Sequence, residues 1–161
     1  MRCQQDQLYA AENAAPLGRT FATEEELQSW VDGLRDHPYW QRLYTQVRRV
    51  DCFKRAHAGK GSVGWFERER ACGVIEMSPT HMNERVVLHE LAHVLAAARY
   101  GSESHDPFFA RVYLELVAVF YPEGYLPLYE SFAARGIEFD IEDERLGQAR
   151  AMPAAVGPSG S

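Results

Sequence analysis

The chain has 161 residues with 17 basic and 23 acidic side chains, a formal net charge of −6. It is 46% apolar and 12% aromatic, enough for the core of one ordinary domain and too apolar for a disordered chain. Three cysteines (Cys3, Cys52, Cys72) without paired spacing exclude a disulfide scaffold and a cysteine-only zinc site. Apolar stretches such as Leu116–Pro122 fall far short of a membrane span. Met1–Thr20 has no apolar signal core, so a cytoplasmic, non-membrane protein is expected.

The opening twenty residues are polar and Ala-rich, with a short strand expected around Gln7–Ala10. Thr23 and Glu26 form a capping box at the start of a helix that turns Leu27, Trp30, Val31 and Leu34 inward. The helix should end near Asp36, because Pro38 disfavours helix at His37. Residues 42–70 carry eight basic and three acidic groups, a local net of +5 on an acidic chain. We read Arg42, Arg48, Arg49, Lys54, Arg55, Lys60, Arg68 and Arg70 chiefly as solvated strand and loop faces. Their alternative is a patch for nucleic acid, which is not favoured.

Val47–Lys54, Ser62–Glu67 and Ala71–Met77 have β character and predict a small antiparallel or mixed sheet, antiparallel by preference. Gly59-Lys60-Gly61-Ser62 resembles a phosphate loop only superficially. No Ser or Thr follows Lys60 and no Gly stands at position 54, so a hairpin turn is expected. The strongest helix spans Asn83 to Tyr100, with an apolar stripe of Val87, Leu91, Val94 and Ala98 and a stop at Gly101. A second helix starts at Asp106-Pro107 and reaches about Phe120, with Pro122 beyond it. A short helix around Leu126–Ala134 stops at Gly136, and residues 146–161 form an expected disordered tail after a single domain over 1–145.

Leu88-His89-Glu90-Leu91-Ala92-His93 contains an H-E-x-x-H motif inside that strongest helix. Four helical residues advance about 400°, so His89 and His93 stand one turn apart on one face and can share one Zn²⁺. Glu90 lies beside that face, where a carboxylate can act as general base on zinc-activated water. A catalytic zinc site needs a third protein ligand and an open position. After His93 the helix rises about 10 Å to its stop. Residues 101–105 can return about 16–18 Å, which brings His105 back to the metal. Glu115 would stand about 15 Å further along the next helix and is the alternative third ligand. Asp106 suits a helix cap or an outer partner of an imidazole better than a ligand. His37, His57 and His81 are expected to be ordinary, and Cys72 a small buried residue.

The string His89-Glu90-Leu91-Ala92-His93, eleven residues, then His105-Asp106-Pro107-Phe108-Phe109 resembles the SprT-like zincins, which include Spartan. Gly73-Val74-Ile75-Glu76-Met77-Ser78 is similar to the strand that precedes their active-site helix, so the likeness covers residues 72–120. The chain resembles still more closely a group of small actinobacterial proteins described only as metallohydrolases. The resemblance implies a minimal zincin-like α+β fold, Zn²⁺ held by His89, His93 and His105, and Glu90 as base of a metallopeptidase. Asp106 replaces the family's Gly, and no cysteine-based zinc ribbon follows Cys72. The expected partner is a peptide or protein substrate, aligned along Ala71–Met77 if that strand is the sheet edge. The competing readings are a non-catalytic zinc-stabilised binding domain, a DNA-associated protease and an amidase of small molecules.

Overall fold

The computed structural model describes residues 4–59 and 61–139. In chain order these form α1 (Gln4–Glu12), α2 (Glu24–Arg35), α3 (Pro38–Leu43), β1 (Arg49–Lys54), β2 (Val63–Glu67), β3 (Cys72–Met77), α4 (Glu84–Tyr100), α5 (Pro107–Phe120) and α6 (Pro122–Ala134). The architecture is α+β. The expected tail over 146–161 lies outside the described residues. Among the described residues no helix is long and apolar enough to cross a membrane.

Local chemistry sets most helix ends. The Thr23 hydroxyl accepts from Glu26 N at 3.1 Å, while the Glu26 carboxylate reaches back to Ala22 N at 2.9 Å, so α2 starts on a capping box shifted by one residue. Asn83 accepts from Val86 N to open α4, and Gly101 closes it with a φ of +68°. Asp106 accepts from Phe109 N at 3.0 Å, with Pro107 in the first turn of α5.

Three expectations are corrected. The segment Gln7–Ala10 belongs to helix α1, because Leu8 and Ala11 meet the core at a spacing of three. Helix α3 was not anticipated: the His37 ring accepts from Tyr39 N, and Pro38 begins the helix that buries Tyr39 and Trp40. Pro122 starts α6 rather than marking a gap, since proline at a first helical turn loses no hydrogen bond.

The sheet is mixed, with order β1-β3-β2, β3 parallel to β1 and antiparallel to β2. The antiparallel preference is thereby corrected. So is the hairpin at Gly59–Ser62, because β1 and β2 occupy opposite edges. Strand β3 takes the centre because five of its six residues are buried, whereas β1 and β2 each keep exposed positions. Its neighbour β2 turns into it through a tight turn over Arg68–Arg70, closed by Ala71 at a φ of +48°.

The outer edge of β1 is occupied by side chains of α2. The Gln28 amide donates to Val50 O and accepts from Cys52 N, both at 2.8 Å. Glu24 accepts from Lys54 N at 2.7 Å, and Arg35 donates to Arg48 O at 2.6 Å. Side chains thus stand in for a fourth strand there.

Helix α4 lies directly against the sheet. A Cβ on Gly64 would sit 2.3 Å from the carbonyl oxygen of Glu90, and one on Gly73 would sit 2.5 Å from Val94 Cγ1. Only glycine permits so close a crossing. On its other side α4 packs on α5, whose residues Phe109 to Phe120 are all buried. Leu88, Leu91 and Leu95 meet Phe109, Val112 and Leu116 in a core that α6 extends with Leu128 and Phe132.

Candidate metal centre

Helix α4 presents His89 and His93 one turn apart, and the reversal after Gly101 returns His105 to them. His105 Nε2 lies 3.1 Å from Nε2 of His89 and 3.1 Å from Nε2 of His93. All three ligating atoms fall within 4.8 Å of one another. Two nitrogens bound tetrahedrally to one Zn²⁺ at about 2.05 Å would stand about 3.3 Å apart. Both separations from His105 are thus close to what a single cation requires. Among the described residues this is the group of histidine, cysteine and acidic side chains that could hold a metal ion.

The surroundings keep the imidazoles in their ligating, neutral form. In the metal-free chain burial depresses His89 to about 3, helped by the nearby Arg85 charge. Burial lowers His93 to about 3, with the other two histidines adding to it. His105 falls to about 4, mainly by burial and then by His89. An aromatic cage encloses the rings: Phe109 lies 4.3 Å from His93 and 4.7 Å from His105 between centroids, and Tyr113 lies 5.4 Å from His89.

Glu90 is buried beside this cluster and accepts a hydrogen bond from the Gly64 backbone N–H. Burial, then the Glu12 charge, pushes Glu90 up to about 8, while Gly64 and Arg55 oppose the rise. Gly64 belongs to β2, an edge strand of the sheet, and is paired there with Ile75 of β3. A cavity of about 500 Å³ opens alongside, lined by Tyr9, Glu12, Ser62, His81, Arg85 and Glu90 among others.

Two residues of this site escaped the sequence reading. The Glu12 carboxylate, at the end of α1, contacts His89 Nδ1 across 77 residues of chain. Burial raises Glu12 to about 8, with the Arg85 and His105 charges opposing the rise. Tyr9, one turn earlier, stacks on His89 at 5.7 Å and meets His105 edge-on at 5.1 Å. Nothing in the local pattern of α1 marks them, since their role depends on how α1 docks.

Other candidates lie elsewhere. Glu115, the alternative third ligand, is outside the histidine cluster and accepts from the Tyr39 hydroxyl at 2.7 Å. Asp106 serves as the cap of α5. His37 caps α3, His81 faces Ser62 Oγ at 3.3 Å, and neither joins the cluster. Cys72 is fully buried in β3. The expected edge role of Ala71–Met77 is corrected: β3 is the central strand and both its sides are paired. Within the basic stretch, Arg49 pairs with Asp51, Arg55 with Glu76 and Arg70 with Glu67, while Arg68 covers the Phe66 ring. The chain matches no family model, no curated protein and no solved structure.

Proposed function

We propose that the protein is a zinc-dependent hydrolase, a metallopeptidase with His89, His93 and His105 as ligands and Glu90 as general base. The observation that carries this reading is the convergence of three neutral Nε2 atoms beside a buried carboxylate at the wall of an open cavity. The donor set fits zinc: His89, His93 and His105 would supply the three imidazole ligands that catalytic zinc sites use. When bound, Zn²⁺ supplies Lewis acidity to a carbonyl and acidifies water.

The chain's own residues do the rest. Glu90 takes the proton from the attacking water and returns it to the leaving amine. The Gly64 N–H fixes the orientation of that carboxylate, and the aromatic cage excludes bulk water from the imidazoles. An extended peptide lies along the edge strand β2, next to Glu90, and adds a strand to the sheet there. The closed edge of β1 leaves β2 as the strand that can accept one. The α+β class of the fold is compatible with this reading, and so is the resemblance to SprT-like zincins, with Asp106 in place of their Gly acting as a helix cap.

The test combines metal analysis with a broad peptide library. Wild type and Glu115→Ala should carry one zinc per chain, and His105→Ala should lose it. Full zinc in His105→Ala with loss in Glu115→Ala overturns the ligand set. Cleavage should vanish in Glu90→Gln while zinc is retained, and unchanged cleavage in that variant overturns the role of Glu90. Zinc bound without any hydrolysis in wild type would favour a zinc-stabilised binding domain instead.

A further inference from the structure

We propose that α1 is a working wall of the metal centre and that Glu12 is the positioning residue for His89, so that metal loading and the docking of α1 are coupled. The inference rests on the zinc reading of the three histidines and extends it to a segment that reading does not use.

The argument begins with a proton count. A neutral imidazole carries one N–H. His89 directs Nε2 toward His105 Nε2, so ligation through that atom leaves the proton on Nδ1. A buried Nδ1–H needs an acceptor, and the Glu12 carboxylate is in contact with it. Both side chains are withdrawn from solvent, at 5% and 12% exposure. Such a carboxylate fixes the tautomer and the ring plane and raises the basicity of the ligating nitrogen. Glu12 is not itself in the ligand cluster.

The way α1 is attached points the same way. Only Leu8 and Ala11 of this helix are buried, so apolar packing alone holds it weakly. Polar anchors at both ends make up the difference. At the start, Gln4 Nε2 donates to the backbone oxygen of His105 at 3.1 Å. At the end, Arg85 donates to the backbone oxygen of Glu12, the last residue of α1, at 3.0 Å and to Ala15 O, just beyond the helix, at 2.7 Å. Arg85 precedes His89 by one turn of α4. The helix therefore grips ligands from two separate elements: His89 through Glu12 and Tyr9, and His105 through Gln4 and Tyr9. Whatever holds His89 and His105 on one ion also holds the surface on which α1 sits.

The experiment uses the full chain, with Zn²⁺ affinity measured by chelator competition and the visible spectrum of the Co²⁺-substituted protein. Glu12→Ala should weaken zinc binding about 10–100-fold and shift the Co²⁺ bands. Glu12→Gln, which keeps an acceptor oxygen without the charge, should fall between Glu12→Ala and wild type. Amide exchange along α1 should slow on zinc addition in wild type, and less so in Arg85→Met, which removes an anchor without touching a ligand. If folded Glu12→Ala and Glu12→Gln both bind zinc within twofold of wild type with unchanged Co²⁺ bands, Glu12 is a fold contact only and the proposal fails. Exchange along α1 that ignores zinc overturns the coupling. If wild type takes up no metal, the zinc reading fails together with this one. Zinc lost in His105→Ala but unaffected in Glu12→Ala sinks this inference alone.

Discussion

Glu90 and Glu115 are both buried glutamates on packed helices, and their surroundings assign them opposite work. Glu90 lines the same cavity as His89 and is held by a backbone N–H of β2, whereas Glu115 accepts from Tyr39 on α3. Glu90→Gln preserves the size and the contact with Gly64, so zinc content and melting temperature should stay near wild type. Its peptide turnover should fall by about 10²–10⁴, the usual worth of a general base, as read by steady-state kinetics. Glu115→Ala leaves the buried Tyr39 hydroxyl without this acceptor. It should cost about 1–3 kcal/mol in urea unfolding with zinc occupancy unchanged. Gly64→Ala places a methyl group 2.3 Å from the Glu90 carbonyl oxygen, which the backbone cannot yield to cheaply. Displacement of β2 from α4 should lower stability by about 1–3 kcal/mol and reduce activity as well, because the same glycine orients the Glu90 carboxylate.

At the scale of elements, helices with self-contained start and stop signals were legible from local chemistry. The Thr23, Asn83 and Asp106 caps and the Gly101 stop all act within one turn, so three or four residues suffice to specify them. Helices α1 and α3 were not legible: α1 owes its conformation to docking, and α3 depends on a ring nitrogen of His37 acting as a cap. Strand order was also hidden. Three short β segments do not state which is central; β3 takes that place because five of its six residues are buried and both neighbours pair with it. The protected edge of β1 follows from α2, through one glutamine that both donates and accepts. Gln28→Ala should cost about 1 kcal/mol in equilibrium unfolding and leave β1 as a second open edge. Increased self-association in light scattering would mark that exposure.

For the whole molecule, the buried histidines and carboxyl groups impose a pH dependence that can be signed. His89, His93 and His105 titrate near 3 to 4 when folded and near 6.5 when unfolded. The unfolded chain therefore binds more protons in that window, and stability is lost as pH falls below about 6.5. Glu12 and Glu90 titrate near 8 when folded and near 4.5 when unfolded, so their contribution is lost as pH rises from 4.5 through 8. Between 4.5 and 6.5 the two trends oppose each other, and above 6.5 only the carboxyl groups matter. Metal-free protein in a chelator should thus melt highest near pH 6.5 and less stably by pH 8, as read by scanning calorimetry. A melting temperature that climbs steadily to pH 8 would contradict this. Under the proposed zinc reading, Zn²⁺ would bind the folded ligand set alone and should raise the melting temperature in proportion to the logarithm of its excess concentration.

Helical periodicity and the reach of a short loop are local properties, and they made the α4 helix, the pair His89 and His93 on one of its faces, Glu90 beside them and a chain able to return at His105 readable from the residues alone. The packing of the folded chain settles that His105 and not Glu115 completes the cluster, that β2 and not β3 is the sheet edge, and that Glu12 and Tyr9 stand beside the histidines. Those choices depend on which surfaces bury one another across tens of residues, such as the 77 that separate Glu12 from His89. No local pattern encodes such a contact, because it is selected by the packing of the whole core.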